Sequence, residues 1–253
     1  MFNKVTVLLF GSMLISNYLF AGKINIAVAA NVSYAIDELK KAFNQQYPHT
    51  KVQVTLGSSG KLTAQIKNGA PYDLFMSANM IYPNALYKEA LAITKPLIYA
   101  QGSLAYLSGK KQNFEKGILL IKEKGIKRIA IANPKTAPYG IATIEALKNS
   151  HIYDEVLNKF VYAESISQTV SYAITAADIG FIAKSSLYSP KMSKYKKNIH
   201  YADVNPKLYT PINQGMVILK KAQGNDEVSA FYNFILGKQA KEIFNKFGYI
   251  THE

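Results

Sequence analysis

The sequence predicts an α/β protein with parallel sheets. After residue 22, apolar runs of strand length alternate with segments whose apolar residues recur at helical spacing. The first run, residues 24–30 (INIAVAA), is apolar almost throughout, which is typical of a strand buried on both faces of a parallel sheet. Strands that alternate with helices are the pattern of α/β architecture, because crossover helices return the chain to the same sheet.

The individual elements follow from the same patterns, taken in chain order. Strands are predicted at residues 24–30, 51–56, 73–78, 103–107, 128–132, 160–163, 178–183, 198–202 and 215–219. Helices are predicted at residues 33–47, 62–67, 140–149, 168–176 and 226–247. In the first helix Ile36, Leu39 and Phe43 share one face, and Asn68-Gly69 ends the second.

The first 21 residues (MFNKVTVLLFGSMLISNYLFA) have the pattern of a signal peptide. Lys4 precedes an apolar stretch that polar residues and glycine interrupt, so it is diluted compared with a membrane span of about 20 apolar residues. Ala21 provides a small residue for cleavage. An uncleaved anchor is the alternative. With no cysteine to lipidate, the sequence predicts a free, soluble protein of the periplasm.

Composition excludes several classes of site. The 253 residues suit one or two domains and include no cysteine. Disulfides, thiolate metal sites, iron–sulfur clusters and cysteine nucleophiles are therefore excluded. Hydrophobic residues make up 49% of the chain, enough for a core that needs no disulfide.

The net charge of +14 first suggests nucleic acid, yet the kind of cation argues against it. Lysine accounts for 29 of the 30 basic residues, and Arg128 is the exception. Arginine is the preferred residue for reading bases and clamping phosphates, because its planar fork bonds two acceptors at once. The lysines are also spread along the chain, so we expect a basic soluble surface and no nucleic-acid partner.

Three loops that follow predicted strands are rich in small and hydroxyl-bearing residues. They are residues 29–33 (AANVS), 56–61 (LGSSGK) and 133–140 (NPKTAPYG). In open α/β sheets ligands bind beyond the carboxyl ends of strands, where helix N-termini offer unpaired amides to anions. Ordinary N-capping by Asn31, Ser33 or Ser59 explains any one loop, but three together favour an anion site built from neutral donors.

The common catalytic motifs are missing from the sequence. It contains no GxxxxGK[ST], GxGxxG, GxSxG or HExxH string, and its four histidines are isolated. Asp73 and Asp178 each begin an apolar strand, a position where carboxylates usually orient a turn. We therefore expect no cofactor and no ligands for a metal cation. A hydrolase using Ser59 and a ferric site built from some of the 18 tyrosines remain alternatives.

A series of short strings, collinear along the chain, matches one known family. The strings are residues 22–31, 57–62 (GSSGKL), 69–78 (GAPYDLFMSA), 138–140 (PYG), 163–166 (AESI), 178–181 (DIGF), 230–232, 237–244 and 247–249. They resemble the periplasmic molybdate-binding proteins of ABC importers. The GAPYDLFMSA string with the serine loop before it is the most specific part, and the likeness covers essentially all of the chain after residue 21.

The resemblance implies a two-lobe periplasmic binding protein fold. In this family two mixed or parallel sheets with flanking helices are joined by a hinge of two crossover strands, and the lobes close around the ligand. Lobe one is then residues 22–100 plus 205–253, and lobe two is residues 101–204. The chain would cross near residues 99–102 and 204–209.

The resemblance also implies a ligand set, carried over residue by residue. Its members are Asn31, Ser58, Ser59, Tyr139 and Ile166. Family members usually have serine where Asn31 stands, and Tyr139 and Ile166 correspond to main-chain amide donors. The family's tyrosine donor falls on Ala183, which has no hydroxyl, so we expect the Tyr139 hydroxyl to supply the missing donor.

The implied function is high-affinity binding of molybdate, and of tungstate, without catalysis. The partners would be the oxyanion and a membrane permease with its ATPase, and the protein would be a monomer. The alternatives are a binding protein for another tetrahedral oxyanion (tungstate-selective, sulfate or phosphate) and, less favoured, a periplasmic serine hydrolase. The three loops contain no carboxylate to accept a phosphate proton, and Glu164, near Ile166, is the nearest exception.

Overall fold

A computed structural model describes residues 22–251, so the predicted signal peptide lies outside the described residues. Within this range the chain forms ten strands. They are β1 (Lys23–Ala29), β2 (Lys51–Gly57), β3 (Leu74–Met76), β4 (Leu97–Gly102), β5 (Leu104–Leu107), β6 (Ile129–Ala132), β7 (Phe160–Ala163), β8 (Ile179–Ala183), β9 (Tyr201–Asp203) and β10 (Ile212–Ile218).

Eight α-helices accompany these strands. They are α1 (Ile36–Gln46), α2 (Ser59–Lys67), α3 (Ile81–Lys88), α4 (Pro138–Asn149), α5 (Tyr153–Val156), α6 (Ile166–Thr175), α7 (Asp226–Leu236) and α8 (Lys238–Lys246). Between residues 22 and 251 no helix is both long and apolar enough to cross a bilayer.

The strands form two five-stranded sheets of the same mixed design. The first has the order β2-β1-β3-β10-β4 and the second the order β7-β6-β8-β5-β9. Each contains three neighbouring parallel strands. The fourth strand, β10 or β5, runs antiparallel to them, and the edge strand beyond it, β4 or β9, runs antiparallel to the fourth and so in the direction of the first three. We call the first sheet with α1–α3, α7 and α8 lobe one, and the second sheet with α4–α6 lobe two.

The core of lobe one lies on both faces of its sheet. Ile24, Ile26 and Val28 of β1 face the cluster under α1, α7 and α8, whereas Ala27 faces the smaller cluster under α2 and α3. Successive strand residues point to opposite faces, so a run of apolar residues fills both sides. This confirms the prediction that the first strand is buried on both faces.

The chain crosses between the sheets twice. Only Ser103 separates β4 of the first sheet from β5 of the second. The return passes from β9 through a short 3-10 helix, Pro206–Leu208, into β10. The hydroxyl of Tyr209 accepts a hydrogen bond from the Leu104 N–H at 3.0 Å, which ties the two crossings together.

Several element predictions are corrected by the structure. The helix predicted at 226–247 is two helices, α7 and α8, because Gly237 has an extended backbone that ends one and begins the next. Residues 30–34 form a 3-10 turn, so α1 begins at Ile36 and not at 33. Helices α3 and α5 were not predicted. Strand β10 begins three residues earlier than predicted, because the polar pair Asn213-Gln214 interrupts its apolar pattern.

Candidate binding site between the lobes

A small cavity lies where the two lobes meet. Its lining includes the whole predicted ligand set: Asn31, Ser58, Ser59, Tyr139 and Ile166. The other lining residues are alanine, glycine or proline. The structure therefore brings together five residues from four separate parts of the chain, and it surrounds them with small apolar groups.

Lobe one contributes two serine hydroxyls at the N-terminus of α2. Ser58 is the N-cap residue and Ser59 the first helical residue, and both are buried. Ser59 Oγ accepts the Ala78 N–H at 2.9 Å, so the serine proton remains free to donate. Ser58 Oγ is buried with no hydrogen-bond partner among the described residues. A buried hydroxyl without a partner is costly, and a ligand in the cavity would satisfy it.

Lobe two contributes main-chain amides at two helix N-termini. Pro138 is the first residue of α4 and Tyr139 the second, while Ile166 is the first residue of α6. The N–H groups of a first helical turn have no acceptor within the helix, and the aligned peptide dipoles make this end electropositive. Together with α2, three helices begin at the cavity, an arrangement that suits an anion.

Asn31 lies in the 3-10 turn that follows β1 and is fully buried. Its Nδ2 donates to Gln214 Oε1 at 2.8 Å and to Tyr249 Oη at 3.1 Å. Its Oδ1 has no partner among the described residues. Gln214 and Tyr249 were not predicted from the sequence as partners of Asn31. For Gln214 there was a signal, because it is a glutamine next to a glycine inside an apolar run.

The Tyr139 side chain is buried beside the crossing. Its hydroxyl accepts a hydrogen bond from Gln214 Nε2 at 3.3 Å, and a Cβ at Gly102 would collide with it. Ala183 ends β8, is buried, and has no hydroxyl to offer. The role of the Tyr139 hydroxyl as a ligand donor stays a prediction.

The lining carries no charge at neutral pH. Burial raises the pKa of Tyr139 well above its usual value, and the neighbouring Tyr249 and Tyr99 raise it further. No lining residue is histidine, aspartate or glutamate, so no general base lies beside Ser59. Among residues 22–251, no group of three histidine or carboxylate side chains is placed to hold a metal ion.

The lobes touch each other around the cavity. The Gly60 N–H of lobe one donates to the Thr136 carbonyl of lobe two at 2.8 Å. Ser185 Oγ donates to the Asn31 carbonyl at 3.1 Å. Lys61 pairs with Glu164 across the cleft, and both side chains are about half exposed. Glu164 is therefore outside the cavity and paired with a cation.

Comparison with known proteins identifies the family. A profile described as "Bacterial extracellular solute-binding protein" matches residues 24–250. The chain belongs to this family. It is 34% identical to a molybdate-binding protein of Rhodobacter capsulatus over 91% of this chain and 89% of that protein. It is 32% identical to a molybdate-binding protein of Azotobacter vinelandii, with 90% of each chain covered.

A solved structure supports the same fold for this solute-binding protein. The structure of the Azotobacter vinelandii periplasmic molybdate-binding protein superimposes with a TM-score of 0.84. It is 29% identical and covers 91% of this chain and 100% of that chain. The predicted two-lobe periplasmic binding protein fold and the predicted family resemblance are confirmed. Because the relatives are solute-binding proteins, the chain is a binding protein and not an enzyme.

Proposed function

We propose that this protein binds molybdate in the periplasm and delivers it to an ABC importer in the membrane. The observation that carries the proposal is the small interlobe cavity, in which serine hydroxyls and first-turn amides of three helices converge without any charged side chain. Two relatives above 30% identity, each covering about 90% of the chain, are named for molybdate.

Neutral donors suit this ligand for a physical reason. Molybdate at neutral pH is a tetrahedral dianion without a proton, so its oxygens only accept hydrogen bonds. Helix N-termini and hydroxyls satisfy these oxygens without a buried countercharge, and burying a lysine would add its own desolvation cost. Exclusion of water between the lobes strengthens each of these bonds.

The same donor set argues against phosphate and sulfate. Phosphate near neutral pH often carries a proton, and no carboxylate lines the cavity to accept it. Sulfate is a smaller tetrahedron, so donors spaced for longer metal–oxygen bonds leave its oxygens poorly bonded. Each lost bond costs about 1–3 kcal/mol. Tungstate is nearly the same size as molybdate, and we propose that it binds as well.

The ligand set is part of this proposal. Asn31, Ser58 and Ser59 bind through their side chains, and Tyr139 and Ile166 through their main-chain amides. Closing of lobe one (residues 22–100 plus 205–253) on lobe two (residues 101–204) presents the loaded form to the permease, since a ligand shifts the population between open and closed forms. Residues 1–21 serve as the signal peptide, and the exported protein is a soluble monomer.

Titration calorimetry on the chain without residues 1–21 tests the proposal. We expect tight binding of molybdate and tungstate, with little binding of sulfate or phosphate. Ser59→Ala removes a donor and leaves the Ala78 N–H without its acceptor, so we expect about 10- to 100-fold weaker molybdate binding. Ser171→Ala, an exposed serine of α6, is the matched control. Tight sulfate binding with weak molybdate binding contradicts the assignment.

A further inference from the structure

Gln214 is the centre of a buried hydrogen-bond network behind the cavity. We propose that Gln214 is a positioning residue that determines which end of the Asn31 side-chain amide faces the ligand. The inference rests on the proposed function, because it requires a ligand whose oxygens carry no proton.

The network has no solvent access. Asn31 and Gln214 are both fully buried, and Tyr99 and Tyr139 are nearly so. Gln214 Oε1 accepts from Asn31 Nδ2 at 2.8 Å and from Tyr99 Oη at 2.8 Å. Gln214 Nε2 donates to Tyr139 Oη at 3.3 Å. Tyr99 Oη also lies 3.1 Å from the Ser77 carbonyl, so its proton has a second acceptor.

In this arrangement the Asn31 amide is turned the wrong way for an oxyanion. Nδ2, its only donor, is bonded to Gln214 and Tyr249, and Oδ1 is left without a partner in a residue that lines the cavity. An oxyanion has only acceptors, so Oδ1 would repel it. A buried acceptor without a partner is also unfavourable in the absence of ligand.

Reversing both amides together removes the conflict. Gln214 Nε2 then donates to Asn31 Oδ1 and to Tyr99 Oη, while Tyr99 keeps its bond to the Ser77 carbonyl. Tyr249 Oη, which now donates to the Asn31 main-chain carbonyl, turns its proton to Oδ1, and Ser185 Oγ still donates to that carbonyl. Tyr139 donates to Gln214 Oε1. The reversal needs no movement of the backbone, because a tyrosine hydroxyl both donates and accepts and an amide presents either function at nearly the same position. Asn31 Nδ2 is released to donate into the cavity.

Only an amide at position 214 permits this exchange. A carboxylate there would accept hydrogen bonds at both ends and would keep Asn31 Nδ2 turned away from the ligand. A thioether would replace neither of the two hydrogen-bonding ends of the amide. The backbone places the side chain for this task, since the β10–β4 register shifts between Gln214 and Gly215. Such a bulge redirects a side chain out of the regular alternation. From the second crossing, Gln214 reaches Asn31 of lobe one and Tyr139 of lobe two.

A double-mutant cycle tests the inference, with molybdate affinity measured by calorimetry. Asn31→Ser replaces the amide by a hydroxyl, which rotates freely and needs no orientation by Gln214. Gln214→Met keeps length and apolar volume but removes both hydrogen-bonding ends. In the Asn31 background we expect Gln214→Met to weaken binding about 10- to 100-fold. In the Asn31→Ser background we expect a loss of about threefold or less.

The possible results separate the roles. Equal losses in both backgrounds mean that Gln214 only supports the structure, and no loss in the Asn31 background means that it does not act on Asn31. Either result overturns the inference. If the wild-type protein binds none of molybdate, tungstate, sulfate and phosphate, the proposed function is wrong. If the wild-type protein binds molybdate and Gln214→Met loses the same affinity in both backgrounds, only the role of Gln214 is wrong.

A second measurement does not depend on the variants. In ¹⁵N-labelled wild-type protein, molybdate should shift the side-chain amide resonances of both Asn31 and Gln214, because both amides change partners. The Gln214 side-chain amide resonance is assigned by its absence from the spectrum of Gln214→Met. If molybdate binds and the side-chain amide resonances of Asn31 and Gln214 do not shift, the inference is wrong.

Discussion

The polar residues of the cavity are neutral and retain hydrogen-bond donors because of how each is buried and bonded. Ser59 accepts the Ala78 N–H, and this leaves its own proton for a ligand. Burial keeps the pKa of Tyr99, Tyr139 and Tyr249 above the usual tyrosine value, so their hydroxyls retain their protons at physiological pH. The site therefore offers hydrogen bonds without carrying a compensating charge.

At Tyr139 the contribution of the hydroxyl to binding can be measured separately from that of the main-chain amide. Tyr139→Phe keeps the amide at the start of α4 and removes the hydroxyl that contacts Gln214. We expect molybdate affinity to fall about tenfold, the effect of one lost hydrogen bond in a buried network. Calorimetry measures it. Tyr162→Phe, at an exposed tyrosine, is the control. Unchanged affinity for Tyr139→Phe would rule out a contribution of the hydroxyl.

At the scale of single residues, the candidate donors were predicted from short strings of sequence, and their partners were not. Ser58 and Ser59 belong to a loop that follows a predicted strand, and Ile166 was placed by the family resemblance. Gln214 lies 183 positions from Asn31, and no local pattern pairs them. Its role depends on the bulge in β10, which is a property of two paired strands.

Among the elements, β9 is held at the second crossing by ion pairs. Asp203 Oδ2 lies 2.9 Å from Lys197 Nζ, and Asp203 Oδ1 lies 3.2 Å from Lys184 Nζ. Burial alone would raise the pKa of Asp203, but the hydrogen bonds and charges of the two lysines lower it below its usual value. The carboxylate is thus more stable in the folded chain than in the unfolded one.

This shift predicts how stability depends on pH. An aspartate with a lowered pKa stabilises the fold above its unfolded pKa of about 3.9, and the contribution is lost as pH falls through the folded pKa. We expect Asp203→Asn to lower the free energy of unfolding by about 0.5–1 kcal/mol at pH 7, as for partly exposed ion pairs. The difference from wild type should shrink at pH 3.

Urea unfolding at the two pH values measures the effect. Glu242→Gln is the control, because Glu242 is an exposed carboxylate in the middle of α8. The free energies of unfolding of Asp203→Asn and wild type could differ by the same amount at pH 7 and pH 3. That result would show that the ion pairs contribute nothing to stability.

Element types were predictable where one periodicity dominated, and element ends were not. The run FVYA was predicted as residues 160–163 and forms β7 over those residues. The prediction of one helix at 226–247 was wrong at Gly237, because the apolar spacing continues through the break between α7 and α8. Periodicity reports which face is apolar, whereas Gly237 changes the direction of the chain without disturbing that spacing.

For the whole molecule, the close approach of the lobes depends on one glycine. Gly60, the second residue of α2, bonds the Thr136 carbonyl of lobe two. A Cβ at this position would lie 2.7 Å from the Tyr82 hydroxyl, the end of a side chain that can turn aside, and 3.0 Å from both the Cα and the carbonyl oxygen of Thr136. The Thr136 atoms belong to the backbone and cannot rotate away, so a side chain here pushes the two lobes apart by a few tenths of an ångström.

Gly60→Ala should therefore affect closure more than folding. Alanine is the better helix former by about 1 kcal/mol, so the ligand-free protein should be as stable as wild type or more so. The closed form should be strained by about 1–3 kcal/mol, which weakens molybdate binding about 5- to 150-fold. Calorimetry and urea unfolding of the free protein measure the two effects. Gly125→Ala, where a Cβ meets open space, is the control.

Two outcomes would contradict this account of closure. Affinity equal to wild type would show that the bound form does not need the Gly60–Thr136 approach. A parallel loss of affinity and of ligand-free stability would place the strain in lobe one alone.

Local pattern was enough to predict the α/β class, the three loops that line the cavity and, with the family resemblance, the two-lobe fold, because these depend on residue spacing within short segments. Tertiary structure was needed to show that the loops enclose one cavity, that Lys61 neutralises Glu164 outside it, and that Gln214 reaches Asn31. These contacts join segments far apart in the chain. Their existence depends on the two crossings and on the packing of one lobe against the other, which no single segment encodes.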